Sequence, residues 1–222
     1  QAVCRELGIA LAGGHSIDAP EPMFGLAVNG LVDLDHLKLN SQAKPGDLLF
    51  LTKPLGVGML TTAEKRGLLE AGHHGLARET MLKPNAIGVA LAQVKGVNAM
   101  TDVTGFGLAG HLSEMCSASG VMAEIDFRRL PRLAEAEGYR RQGAVPGGAL
   151  RNRDALGSAL PAMDDAHWQW LCDPQTSGGL LISVDPAWED DVERIGREHG
   201  LTLAPFGTLK AAQGKISIEV VG

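Results

Sequence analysis

The apolar positions of this chain fall into short blocks with two different periods. Residues 47–52, 121–127 and 180–184 are compact runs rich in Leu, Ile and Val, the pattern of buried strands. Residues 9–12 form a shorter apolar run and 24–32 alternate loosely, which predicts two further strands. Runs at 201–209 and 215–221 predict two more near the end of the chain. Other blocks repeat every three or four residues. They predict helices over 2–7 (ended by Gly8), 57–69, 133–141 and 165–171, the last bearing Trp168 and Trp170. Met81, Leu82, Ile87, Ala90, Leu91 and Val94 place a longer helix over 76–94, kinked at Pro84. Residues 186–199 read as a helix with proline at its start, where the missing N–H costs little. Residues 144–159 are rich in Gly and Arg and read as a loop. Helices and strands alternate, so the class is α/β or α+β with a mixed sheet. Charge, Asn40-Ser41-Gln42 and Pro45-Gly46 accumulate over 33–46, which divides the chain into 1–33 and 34–222.

Composition narrows the class of function. The 222 residues suffice for one large domain or two modest ones, and 45% hydrophobic with 21% charged residues supports a packed core. The 29 glycines are nearly twice an average usage of about 7%, which points to tight turns and backbone-lined surfaces. With 4% aromatics and a net charge of −6, neither a base-stacking platform nor direct nucleic-acid binding is expected. No uncharged apolar run reaches the roughly 18 residues a membrane span needs, and no signal-peptide pattern is present. Cys4, Cys116 and Cys172 are odd in number, widely separated and without C-x-x-C spacing. They read as reduced thiols of a cytoplasmic protein, with neither a disulfide framework nor a zinc site. The chain opens at Gln1 inside an apparent helix, which predicts a fragment of a longer protein.

The richest chemistry lies in Met100-Thr101-Asp102-Val103-Thr104-Gly105-Phe106-Gly107-Leu108-Ala109-Gly110-His111-Leu112. Asp102 is a hard oxygen donor of the kind Mg²⁺ takes, sharing its remaining positions with water and phosphate. Gly105 and Gly107 allow a sharp turn and close approach to a ligand. The helix after them, running to about 119, would aim free N–H groups at an anion. The same letters fit the dinucleotide fingerprint G-x-G-x-x-G, with Glu124 and Asp126 near the distance of a ribose-binding acid. That fold needs an apolar strand leading straight into the first glycine. Here residues 97–104 are interrupted by polar side chains, which disfavours it. A plain glycine turn with Asp102 as a cap is the structural alternative.

Two further glycine loops stand out. Gly13-Gly14-His15-Ser16-Ile17-Asp18-Ala19-Pro20-Glu21-Pro22 is compatible with an anion-binding nest or a plain surface loop. Asp173-Pro174-Gln175-Thr176-Ser177-Gly178-Gly179 suits phosphate binding and a tight turn about equally. Asp18 and Glu21 read as turn caps rather than metal ligands. There is no P-loop pattern, and His73-His74 and the arginines from Arg128 to Arg153 read as surface groups.

In order and spacing, the three glycine motifs resemble the selenophosphate synthetase family, the selenide, water dikinases, over essentially the whole chain. The resemblance implies an aminoimidazole ribonucleotide synthetase-like architecture, with an N-terminal α+β domain that binds ATP and pairs in a homodimer and a C-terminal α/β domain. Residues 1–33 are then the end of the first and 34–222 the second. The implied reaction converts ATP, selenide and water into selenophosphate, AMP and orthophosphate, supplying selenium for selenocysteine and selenouridine. Asp102 matches the family's Mg²⁺ ligand, and Gly14, His15 and Ser16 match a loop contacting ATP held mainly by the partner subunit. The resemblance also implies that the family's reactive Cys or selenocysteine, a nearby Lys and further Mg²⁺-binding Asp residues lie upstream of any matching segment. No catalytic residue is therefore assigned, and the 222 residues alone are expected to be inactive. The alternatives are another ATP-dependent enzyme of the same superfamily, or a non-catalytic interaction module.

Overall fold

The computed structural model describes residues 1–212, 214 and 217–222. They form two compact units, Gln1–Leu37 and Lys38–Gly222. In the first unit a short helix α1 (Ala2–Glu6) ends at Gly8, whose φ of 66° is left-handed. From there to a single 3-10 turn at Leu34–His36 the chain has no helix or strand. The strands expected over 9–12 and 24–32 do not form. Apolar patterning supplies side chains for a sheet face, but a strand also needs a neighbour to ladder with. Among the described residues, no backbone hydrogen bond joins any of residues 10–32 to another segment. Their apolar side chains lie open, with Phe24 91% and Leu31 fully exposed.

The second unit is built on a six-stranded sheet. Its strands are β1 (Leu48–Leu51), β2 (Val97–Asp102), β3 (Val121–Asp126), β4 (Leu180–Val184), β5 (Gly207–Ala211) and β6 (Ile218–Val221). The order is β2-β4-β1-β5-β3-β6, and every neighbouring pair is antiparallel except β3 with β6. The mixed sheet follows from the alternation in the sequence, and its two faces follow from the strand period of two. Leu49 and Leu51 of β1 and Leu181 of β4 enter a large core with helices α2 (Val57–Lys65), α5 (Gly107–Ser119), α6 (Ala134–Arg141), α7 (Gly147–Leu156) and α8 (Asp165–Leu171). Phe50, Leu180, Ile182 and Val184 face a smaller core under α4 (Ile87–Ala92) and α9 (Glu189–Glu198). Each fully buried Leu or Ile contributes about 1.5–3 kcal/mol relative to exposure, so both faces are needed. The β2 register shifts between Val97 and Ala99. Asn98, within that bulge, donates both its contacts to the buried carboxylate of Asp47, at 3.0 and 3.1 Å.

Several elements differ from their predicted extents for local reasons. The helix expected over 76–94 is two helices, α3 (Leu76–Leu82) and α4, because Pro84 drives Lys83 into an extended conformation with ψ 118°. The helix from Val57 stops at Lys65, followed by Gly67 in the left-handed region. The 144–159 loop contains the ten-residue helix α7, masked in sequence by the glycines of its first turn. The strand expected over 201–209 begins only at Gly207, since Pro205 has no N–H for the ladder. In the run 215–221, Lys215 and Ile216 lie outside the described residues. Among the described residues no helix is long and apolar enough to cross a membrane.

Gly207 marks where β5 is squeezed between two neighbours. A Cβ there would lie 2.5 Å from the Glu124 carbonyl oxygen. Gly207→Ala is expected to cost about 1–3 kcal/mol, as for other overpacked sites. It should lower the urea midpoint at unchanged slope, and a wild-type midpoint would contradict this packing.

Candidate functional site

Sheet order dictates where the glycine motifs meet. Strand β4 lies between β1 and β2 and runs antiparallel to both. Its beginning therefore lies beside the ends of both neighbours. The loop entering β4 (173–179), the loop leaving β2 (103–106) and the loop leaving β1 (52–56) must share one corner. Hydrogen bonds lock them together. Val103 N–H donates to the Gly179 carbonyl at 2.9 Å, and Gln175 N–H to the Thr104 carbonyl at 3.0 Å. Leu180 N–H donates to Thr52 Oγ1 at 2.7 Å.

The glycines are small because these backbones nearly touch. A Cβ on Gly178 would lie 2.1 Å from the Val103 oxygen, and one on Gly179 2.4 Å from the Lys53 nitrogen. Gly107 has φ 69°, and its Cβ would meet the Cys172 carbonyl carbon at 2.8 Å. Asn152 on α7 donates to the carbonyls of Gly105 at 2.8 Å and Cys172 at 3.1 Å. The helix missed in the sequence thus braces both motif loops.

Asp173 is the buried centre of the corner, with no exposed surface. One carboxyl oxygen accepts from Gly58 N–H at 3.1 Å and Gln175 Nε2 at 2.7 Å, while the other has no partner among the described residues. Gln175 Oε1 in turn accepts from Val57 N–H at 3.3 Å. These two side chains together cap the first N–H groups of α2. Burial raises the Asp173 carboxyl to about 7, against the pull of the Gln175 hydrogen bond and the α2 backbone donors.

Asp102 stands at the exposed end of edge strand β2. Among the described residues no three His, Cys, Asp or Glu side chains cluster as a metal cage. An open carboxylate outside such a cage fits an ion that shares its coordination with phosphate and water, as Mg²⁺ does. His111, 9% exposed, accepts the Thr104 N–H at Nε2 (3.0 Å), which fixes the turn after Asp102. Burial lowers its pKa, opposed by the charges of Asp102 and Glu114.

Gly14, His15 and Ser16 belong to the first unit. Gly13, Gly14 and His15 help line a cavity of about 540 Å³ within it, together with Leu26 and Asn29. Asp102 belongs to the second unit. Buried Cys116 and Cys172 are both pushed up to about 12, so neither presents a thiolate near neutral pH.

Residues 44–219 match the family model described as AIR synthase related protein, C-terminal domain. The chain belongs to that family. Its AIR synthase related domain coincides with the second unit, and the fold is shared by distant solved structures. A thiamine-monophosphate kinase from Stenotrophomonas maltophilia aligns with a TM-score of 0.58 at 21% identity, over 83% of this chain and 53% of that one. The hydrogenase maturation protein HypE in complex with ATP aligns with a TM-score of 0.59 at 16% identity, over 86% and 52%. Curated relatives are much nearer in sequence. A selenide, water dikinase of Aeromonas hydrophila is 58% identical over 219 residues, covering 99% of this chain. One of Escherichia coli is 54% identical over 211 residues, covering 95%. The chain spans 64% and 61% of their respective lengths.

The AIR synthase related domain also holds site residues that the sequence reading passed over. Lys53, Asn85 and Asn152 act by gripping backbone carbonyls of the motif loops. The one available signal was Lys53-Pro54 directly after a buried strand.

Asp173 makes a pH prediction. Its folded carboxyl holds a proton up to about pH 7, whereas the ordinary value is 3.8. Between those limits the folded state binds more protons, so its contribution falls as pH rises and is fully lost above about 7. Asp173→Asn keeps one acceptor and removes the titration. Its urea-derived stability relative to wild type should improve from pH 5 to about 7 and level off above, with the opposite-signed His111 contribution common to both proteins. Parallel profiles would show that Asp173 is ionised throughout.

Proposed function

We propose that these residues serve a selenide, water dikinase, which converts ATP, selenide and water into selenophosphate, AMP and orthophosphate. The observation that carries this reading is identity of 58% over 219 residues to a protein of that name, running through all three glycine motifs. The geometry supports it. Phosphoryl transfer asks a protein chiefly for positioning and for neutralisation of charge on phosphate oxygens. An exposed carboxylate at a strand end, beside tightly packed glycine loops, offers a metal position without bulky side chains in the way.

In this reading Asp102 holds Mg²⁺ together with phosphate oxygens, and the ion neutralises their charge. Gly14, His15 and Ser16 contact ATP in a homodimer, and the enzyme is cytoplasmic. Residues 1–33 end an ATP-binding domain and 34–222 form the C-terminal domain. The buried thiols Cys116 and Cys172 take no part as nucleophiles.

The test is Asp102→Asn in the whole protein that carries these residues. Selenide-dependent release of AMP and orthophosphate, followed by phosphorus NMR, should fall roughly 100-fold or more, as for loss of a group that stabilises developing charge. The Mg²⁺ concentration for half-maximal rate should rise with it. Unchanged turnover would remove Asp102 from the metal site. ATP cleavage indifferent to selenide would instead favour a related enzyme with a carbon or nitrogen acceptor.

A further inference from the structure

Lys53 is the most unusual charge in the second unit. It follows β1 directly and is only 6% exposed, yet no carboxylate pairs with it among the described residues. Its one hydrogen bond runs from Nζ to the Ser177 carbonyl at 2.6 Å. An ammonium has three donors, so two remain uncommitted. Burial lowers its pKa, and the nearby charge of Lys83 lowers it further. Lys83 lies close enough for its charge to act on Lys53, and neither lysine forms an ion pair among the described residues. Burying an unpaired charge is costly, and such an arrangement persists when a counter-ion completes it.

Neighbouring atoms extend the donor set. Asn85 Nδ2 donates to the Gly178 carbonyl at 2.8 Å, on the residue adjacent to the one held by Lys53. One of its two amide protons is thereby used and the other is left over. The clasp holds Ser177 at φ 48°, the sole non-glycine residue with positive φ among those described. The helix break at Lys83-Pro84-Asn85 explains how these groups arrive together. A continuous helix would have carried Lys83 and Asn85 onto different faces, whereas the extended turn brings both to the β1–β4 corner.

We propose that Lys53, Lys83 and Asn85 form a phosphate-binding subsite on the second unit, next to Asp102 at the end of the sheet. Two ammonium groups match the charge of a phosphate dianion, and the spare donors match its several acceptor oxygens. The inference rests on the proposed function for the source of that group, a phosphoryl of ATP or the released orthophosphate. The subsite itself requires neither turnover nor metal.

Binding of inorganic phosphate to the 222-residue chain, in buffer free of Mg²⁺ and nucleotide, tests it. Phosphate should perturb the amide resonances of Ser177 and Gly178 and saturate below about 10 mM. Lys83→Met, at an exposed position that does not endanger folding, should weaken this binding about tenfold. Lys53→Met should abolish it, with near-ultraviolet circular dichroism reporting the fold. Lys95→Met, an exposed lysine at the opposite end of β2, should leave it unchanged. Resonances that do not respond in the wild-type chain overturn the proposal, as does equal weakening by Lys83→Met and Lys95→Met. Failure of the whole protein to consume selenide would overturn the assigned reaction and leave this phosphate titration standing.

Discussion

The carboxyl of Asp173 is the contact on which the rest of the site depends. It lies where the β4 entry loop crosses the start of α2, and Gly58 approaches so closely that a Cβ would sit 2.5 Å from its oxygen. Through Gly58 N–H it fixes the helix, and through Gln175 it fixes its own loop, whose backbone then reaches Thr104. One buried acid thereby ties the chain after β1 and the chain after β2 to the chain before β4. Protonation suits this position, since a neutral carboxyl can be buried at far lower cost than an ionised one. The helix N-terminus and the Gln175 amide pull the other way. The balance leaves Asp173 near neutrality of pH, with its ionisation coupled to how tightly the corner is closed.

Around that centre the structure relies on side chains gripping backbone. Lys53, Asn85, Asn152 and His111 each bond a main-chain group of a motif loop. The ion pairs of this chain lie elsewhere, as in the exposed Arg194 contacts with Asp191 and Glu198 on α9. Such surface pairs contribute little to stability. Part-buried side chains on loop backbone count for more, because losing one partner leaves the other short of a hydrogen bond. The motif glycines serve the same end, letting backbones pass within contact distance so that a few polar side chains can hold all of them.

How much of this was legible depended on whether the determining physics was local. Strand β4 and helix α8 were readable to the residue, because an unbroken apolar run and a capped amphipathic turn carry their own signal. Asp102 and the three glycine loops were visible because turns and metal donors demand particular residue types. The strands over 9–12 and 24–32 were not decided by their own sequence. They need a ladder partner, which patterning cannot supply. Helix α7 was hidden by Gly147 and Gly148, whose low propensity is overridden by packing, since a Cβ on Gly148 would lie 3.2 Å from Pro174. Lys53 and Asn85 were illegible for a different reason. Their role is set by partners 124 and 93 residues away, and no local pattern announces a contact of that range.

The charges at the end of the sheet give the site a single electrostatic logic. Edge strand β2 leaves Asp102 open to water, outside any cluster of three or more His, Cys, Asp or Glu side chains among the described residues. An ion such as Mg²⁺ takes few carboxylates and completes its shell with phosphate oxygens and water. Lys53 and Lys83 bring positive charge to the neighbouring corner, and neither forms an ion pair among the described residues. In the proposed reading, phosphate is therefore the group that satisfies both halves, drawing the metal to Asp102 and neutralising the lysines. Binding of metal and of phosphate then reinforce one another through shared charge, without any change in the fold.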